Sequence, residues 1–210
     1  METIKESGAR DRILMAALAL FADGGYHGTT VDAIVARAEI NKRMVYYYFG
    51  SKEKLYEAVM MEAYRKLEKL EEATVVDTPT TEGWIRGMVT TYFAFLRENP
   101  EFNKLILWEN LNKGQGISSL RTRINKFPIL KRLETVIQEG VARGHLRPDL
   151  DPRHLLVSLI GLCQIYFANR YTLTQMLGMD MASANVLDAG VGHVSALLLD
   201  GVIVREDQTG

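Results

Sequence analysis

Lys42, Arg43 and Tyr46 stand at i, i+1 and i+4 of the stretch Asn41-Lys42-Arg43-Met44-Val45-Tyr46-Tyr47-Tyr48-Phe49. A helix over these residues puts all three on one face. The chemistry they offer is recognition of a polyanion. Lysine and arginine suit phosphates, and an arginine fork matches the paired acceptors of a guanine edge in the major groove. The hydroxyls of Tyr46, Tyr47 and Tyr48 can donate to phosphate oxygens and set register. Val45 and Phe49 fall on the opposite face, where they can pack inward. Asn41 is a good N-cap, because its side-chain oxygen can accept from a first-turn N–H. Gly50-Ser51 ends the helix, and Ser51 caps the next one with Lys52 in its first turn. A lysine there opposes the helix dipole, which points to another partner, and a phosphate fits. Alone, these nine residues equally fit an amphipathic surface helix edged with tyrosines; the neighbouring elements distinguish the two.

From about Ala9 to Ala22, Leu14, Ala17, Leu18 and Phe21 recur at i, i+3, i+4 and i+7, an amphipathic helix. Asp23-Gly24-Gly25 stops it and Tyr26-His27-Gly28 reads as a turn. Thr30 can cap a second helix with Val31, Ile34, Val35 and Ala38 on one face, and Glu39-Ile40 turns the chain into the basic stretch. Helix, turn, short helix, turn, short helix is the arrangement of a helix-turn-helix unit. After Ser51 a long helix runs to about Ala73, and residues 74–81, with Asp77, Pro79 and threonines, read as a linker.

The remainder is helical throughout. Ile85, Met88, Val89, Tyr92, Phe93 and Leu96 keep the helical period. Asn99-Pro100 restarts the chain, and Phe102, Leu105, Ile106, Trp108 and Leu111 follow. Gly114-Gln115-Gly116 is a loop, Ile117 to Asn125 is helical, and Pro128 either kinks that helix or starts the next. That next helix runs past Leu133 and Ile137, with Gly144 as its cap. Asp151-Pro152 opens a helix running toward Asn169-Arg170, and a last helix runs from about Ser183 to Gly201. The fold class is all-α, about nine helices, with residues 1–56 as a DNA-binding domain and 57–210 as a helical ligand-binding and dimerisation domain.

Composition bounds the function. The chain has 210 residues, 47% of them hydrophobic, and a formal net charge of −1, which excludes wholesale coating of nucleic acid. Residues 1–65 hold as many acidic as basic side chains, so any contact with DNA comes from local clustering such as Lys42, Arg43, Lys52 and Lys54 against Glu53. The single Cys163 excludes an internal disulfide and suits a reducing compartment. No apolar run reaches the roughly 18 residues of a membrane span, and the first residues lack the apolar core of an export signal. The expected location is the cytoplasm, with no membrane partner. His27, His145, His154 and His193 are scattered without metal-ligand spacing, Cys163 lies on an apolar stripe, and Ser118-Ser119 lacks a glycine elbow. No metal, cofactor or enzymatic activity is expected. A helical adaptor would keep the periodicity but has no need for a basic cluster with three tyrosines.

The first third closely resembles the DNA-binding domain of the tetracycline-repressor (TetR/AcrR) family. The residues that carry the likeness are Arg12-Ile13-Leu14 through Ala17 and Phe21, Gly25-Tyr26, Thr30-Val31, Ile34, Ala38, Val45 to Phe49 and Ser51 to Leu55. The family usually has glycine, serine and glycine where this chain has Glu39, Asn41 and Arg43. The resemblance implies that Thr30, Lys42, Arg43, Tyr46, Tyr47, Tyr48 and Lys52 contact double-stranded DNA, with Asn41 beside them at the helix start. It also implies a homodimer through the last two helices on a palindromic operator, and release when a small molecule binds the C-terminal domain. The C-terminal half resembles, less fully, the subgroup containing the pyrimidine-utilisation regulator, through Asn99-Pro100, Trp108-Glu109-Asn110, Asp151 to Leu155 and Tyr166-Phe167.

For the small-molecule effector, Tyr92, Phe93, Trp108, Glu109, Asn110, Gln164, Tyr166, Phe167 and Arg170 combine apolar walls with a few polar groups, as a pocket requires. The same residues also fit a packed core with Glu109 and Arg170 as an internal ion pair.

Overall fold

A computed structural model describes residues 2–76, 80–120 and 127–204, with side chains for 8–73, 80–120 and 129–204. Among these the architecture is helical: α1 (Glu2–Gly28), α2 (Val31–Ala38), α3 (Lys42–Phe49), α4 (Lys52–Val76), α5 (Thr81–Glu98), α6 (Pro100–Leu111), α7 (Gln115–Ser118), α8 (Phe127–Ala142), α9 (Pro152–Ala168), α10 (Arg170–Leu177) and α11 (Ala184–Val202). The only extended pairing among the described residues is an isolated bridge between Leu146 and Ile203. The helices beyond the expected nine are short. α7 is one turn, and α10 follows α9 after a break at Asn169. Their few residues give a hydrophobic period too little length to register.

Two boundaries differ from expectation. The expected turn at Tyr26-His27-Gly28 is a last helical turn of α1, set off by Gly25 at φ 66°, ψ −179°. Glycine is required there twice over, since a Cβ at Gly25 would also lie 2.7 Å from Trp108. α4 continues through the front of the expected linker to Val76, and α5 starts at Thr81; residues 77–79 lie outside the described residues, as does most of the helix expected over 117–125. Pro128 lies in the first turn of α8, where a missing N–H costs nothing.

The chain packs as two compact units. One comprises residues 1–66 and 99–125, the other 67–98 and 126–210. In the first, α1 packs against α2, α3 and α6 around Ile13, Ala17, Phe21, Ile34, Val45, Leu55 and Leu105, all buried. In the second, α5, α9 and α11 pack on one another, with α8 and α10 against α9, around Trp84, Met88, Val89, Leu133, Leu159, Cys163 and Val194. Burial pushes the Cys163 thiol up to about 12, as for an inert core thiol. Gly140 admits Leu146 beneath the end of α8, where a Cβ would sit 2.5 Å from its side chain.

Candidate nucleic-acid interface

α2, α3 and α4 are each started by a side chain of the expected type. Thr30 Oγ1 accepts from Ala33 N–H at 3.1 Å, Asn41 Oδ1 from Arg43 N–H at 2.9 Å, and Ser51 Oγ from Lys54 N–H at 3.2 Å. The three-residue turn 39–41 is closed by Glu39 in the left-handed region at φ 53°, ψ 50°. The Glu39 and Ile40 amides donate back to the carbonyls of Ala36 and Val35. This conformation explains why glycine is usual at the position, since a side chain there is strained.

α3 is amphipathic in the way its sequence requires. Val45 and Phe49 are buried, while Lys42, Arg43, Tyr46 and Tyr47 are exposed, Tyr47 by 68%. Tyr48 is half-buried and its ring meets Tyr47 edge-on at 5.0 Å. The Arg10 guanidinium lies 5.3 Å from the Phe49 ring centre and holds the end of α3 from α1. Thr30 and Asn41 are exposed at the two helix starts.

Two of the cations have partners within the protein. Lys42 Nζ lies 2.7 Å from Asp32 Oδ1 on α2, and that hydrogen bond raises the lysine's pKa. Lys52 is half-buried with its ammonium 4.3 Å from the centre of the Tyr26 ring, and desolvation lowers its pKa. The lysine that opposes its helix dipole therefore has a π face as partner. Arg43 is exposed, with no side-chain partner among the described residues. Asp32, Arg10 and Tyr26 were not legible as parts of this surface. Each meets its partner from a different helix, and no local spacing announces it.

The nine residues expected to line an effector pocket divide between the two units. Tyr92, Phe93, Gln164, Tyr166, Phe167 and Arg170 belong to the second, Trp108, Glu109 and Asn110 to the first. In the second, the Phe93 ring meets Tyr166 at 5.1 Å and Phe167 at 5.6 Å, and Gly190 packs beneath, where a Cβ would lie 2.6 Å from Tyr166. The Tyr92 hydroxyl donates to the buried Glu71 carboxylate, and Arg170 donates to the Tyr171 hydroxyl at 2.5 Å. In the first, Trp108 Nε1 donates to the Ala22 carbonyl at 3.2 Å. Glu109 is buried and accepts from Tyr56 Oη at 2.6 Å and Ile117 N–H at 2.9 Å. The Asn110 amide donates to the Ile106 carbonyl.

No described helix is long and apolar enough to cross a membrane. Comparison with known proteins matches residues 13–59 to the model of bacterial regulatory proteins of the tetR family, and residues 82–197 to that of the tetracyclin repressor-like C-terminal domain. The chain is 32% identical over 194 residues to the HTH-type transcriptional repressor NicS of Pseudomonas putida, covering 92% of each chain. A TetR transcriptional regulator from Chloroflexus aurantiacus, 23% identical, superposes with a TM-score of 0.72 over 96% of this chain and 99% of its own. The regulator FadR of Bacillus subtilis, solved in complex with stearoyl-CoA, is 22% identical with a TM-score of 0.68, over 90% of this chain and 97% of its own. The tri-helical unit from Ile13 onward lies within the first matched segment and α5 to α11 largely within the second, so the chain as a whole belongs to the TetR family of DNA-binding transcriptional regulators.

Proposed function

We propose that this chain is a repressor that binds a palindromic operator as a homodimer and leaves it when a small organic effector binds. The observation that carries the reading is α3, an eight-residue helix whose apolar face is buried and whose Arg43, Tyr46 and Tyr47 stand exposed together. Arg43 and Lys42 read the groove, Tyr46, Tyr47, Tyr48, Thr30 and Lys52 hold phosphates, and Asn41 orients the helix start. Residues 1–56 carry the DNA contacts and 57–210 carry effector binding and pairing, with α4 continuous across that boundary. One unit of this size reads too few base pairs for tight specific binding, and two on a twofold axis read a palindrome.

In this reading the effector binds in the second unit, beside the rings of Tyr92, Phe93, Tyr166 and Phe167. Trp84 Nε1 and Arg132 Nε, in the same unit, are buried without a hydrogen-bond partner among the described residues, which favours an effector bearing hydrogen-bond acceptors. The relative crystallised with stearoyl-CoA supports a small organic ligand as the class. A coupling of about 1–3 kcal/mol between effector and DNA changes affinity some 5–150-fold.

The test begins with genomic selection of bound DNA to obtain the operator, followed by anisotropy titrations at two salt concentrations. Arg43→Ala is expected to cost about 1–3 kcal/mol on the cognate site and to relax base preference. Lys52→Ala is expected to weaken binding to all sequences and to flatten the salt dependence. Wild-type binding by both variants at both salt concentrations rejects the assignment.

A further inference from the structure

The first unit contains a cavity of about 290 Å³ that the DNA-binding reading does not use. Its walls come from four places in the chain: Tyr26 and His27 at the end of α1, Glu53, Tyr56 and Glu57 in the first turns of α4, Glu109 and Asn112 at the end of α6, and Gln115, Gly116 and Ser119 at α7. The volume is near the lower bound for a small-molecule site, enough for a single-ring compound. All four wall segments belong to one compact unit.

The lining has a definite chemistry. Three carboxylates face one space, and none has an ion-pair partner among the described residues. Glu109 is held rigidly, accepting from Tyr56 Oη and the Ile117 amide, while Glu57 is half-buried and Glu53 lies at the rim. Two tyrosine rings, Tyr26 and Tyr56, meet at 5.3 Å and line the space with the carboxylates. Burial, with the hydrogen bond to Glu109, pushes the Tyr56 phenol well above its usual range, so it stays a donor to that carboxylate. No lysine or arginine lines the cavity. Gly116 forms the α7 wall, and a Cβ there would lie 2.6 Å from both Glu109 Oε1 and Tyr56 Cε1, so this side is closed down to contact distance.

Carboxylates around aromatic rings, with no lysine or arginine in the wall and the Lys52 ammonium on one face of Tyr26 alone, are complementary to an organic cation. The charge is met by the glutamates and the body of the ligand by the rings. We infer that this cavity binds a small organic cation, of the aryl-amine or amidine class, at a site within the first compact unit. The inference stands apart from the effector proposed for the second unit and does not depend on it. Its location gives the occupant direct contact with the segment that leads into the Thr30 cap and with the first turn of α4, next to Lys52.

The experiment uses the full-length protein labelled with 15N and titrated separately with benzamidine, protonated at neutral pH, and with benzoate, its near-isostere of opposite charge. Calorimetry gives the affinities and amide chemical shifts give the location. Saturable millimolar or tighter binding of benzamidine is expected, with shifts confined to amides around Tyr26, Glu53, Gln115 and Gly116, and no such response to benzoate. Glu57→Gln, a near-isosteric change at a half-buried position, is expected to weaken benzamidine several-fold, and Glu62→Gln, which is not in the wall, to leave it unchanged. Three results each overturn the proposal: no saturable benzamidine binding at millimolar concentration, equal responses to the two probes, or shifts that fall elsewhere and ignore Glu57→Gln.

Discussion

Glu39 shows how one residue can carry a stability cost that its neighbours do not reveal. It occupies the left-handed region at φ 53° in the turn between α2 and α3. A non-glycine residue there costs about 1–2 kcal/mol, partly offset in any comparison by glycine's greater freedom when unfolded. Glu39→Gly is expected to stabilise the protein by about 0.5–1 kcal/mol, read as a rise in Tm at fixed protein concentration. It also removes a negative charge beside α3, so operator affinity is expected to rise at low salt. An unchanged or lower Tm contradicts the strain argument. A second residue-scale contact is the ion pair of Asp23 with Lys104 at 2.6 Å, which holds the Asp23 carboxyl below its usual range. A depressed folded-state pKa contributes stability that is whole above the ordinary carboxylate range and is lost as pH falls through the folded value. Lys104→Met is therefore expected to lower Tm near neutrality and to match wild type once both are acidified below that range. The pair is largely exposed, so the difference at neutral pH is small and shrinks with salt.

At the scale of the element, the break in α1 is the joint on which the tri-helical unit depends. Gly25 turns the backbone, and the buried Thr29 secures the passage from α1 into α2. Its hydroxyl lies 2.8 Å from the Gly25 carbonyl and 2.9 Å from that of Leu20, and one proton serves both acceptors. Thr29→Val keeps the shape and removes the donor, leaving carbonyls in a part-buried site without it. The expected cost is about 1–3 kcal/mol. For a chain of this size that is a Tm loss of roughly 2–4 °C per kcal/mol. Thr29→Ser, which keeps the hydroxyl, is expected to lose less. Equal losses in the two variants would place the stabilisation in the methyl group and not in the hydrogen bond. The neighbouring Thr30 does different work, since its exposed hydroxyl caps α2.

At the scale of the whole molecule, the dimer proposal acquires a specific face. Leu198 is buried within its own subunit, so a charge there would damage the monomer's core and not test the pairing. The outward faces of the last two long helices are different residues. Val157 and Ile165 on α9 and Leu197 on α11 are exposed, and Gly161 and Gly192 have open space where a Cβ would be. Small and apolar residues on such faces allow two helices from each subunit to pack closely as a four-helix interface. Val157→Glu, 68% exposed in the single chain, leaves the subunit's own core untouched. It is expected to yield folded monomers by sedimentation and circular dichroism, with operator binding weakened far beyond what any single DNA contact supplies. A folded variant that remains a dimer excludes this face from the interface.

Local chemistry was enough for the caps and the amphipathic faces. Thr30, Asn41, Ser51, Asp151 and Ser183 were legible as helix starts because capping is a contact between a side chain and a backbone amide two or three residues on. Val45 and Phe49 were legible as the inner face of α3 because helical period is local too. The contacts that bind helix to helix were not. Asp32 on Lys42, Lys52 on Tyr26 and Arg10 on Phe49 each join residues on different elements, and nothing in the spacing of either partner marks the other. The same holds for Glu109. As a charged residue among aromatics it read as a pocket group or half of an ion pair, and only the packing of α6 beside the start of α4 gives it Tyr56, 53 positions away in sequence. Leu198 and Leu197 are adjacent letters of one apolar run, and their opposite fates depend on which side of α11 meets α5 and α9. Periodicity determines that a helix has an apolar stripe, whereas tertiary packing decides how much of that stripe one chain can cover by itself.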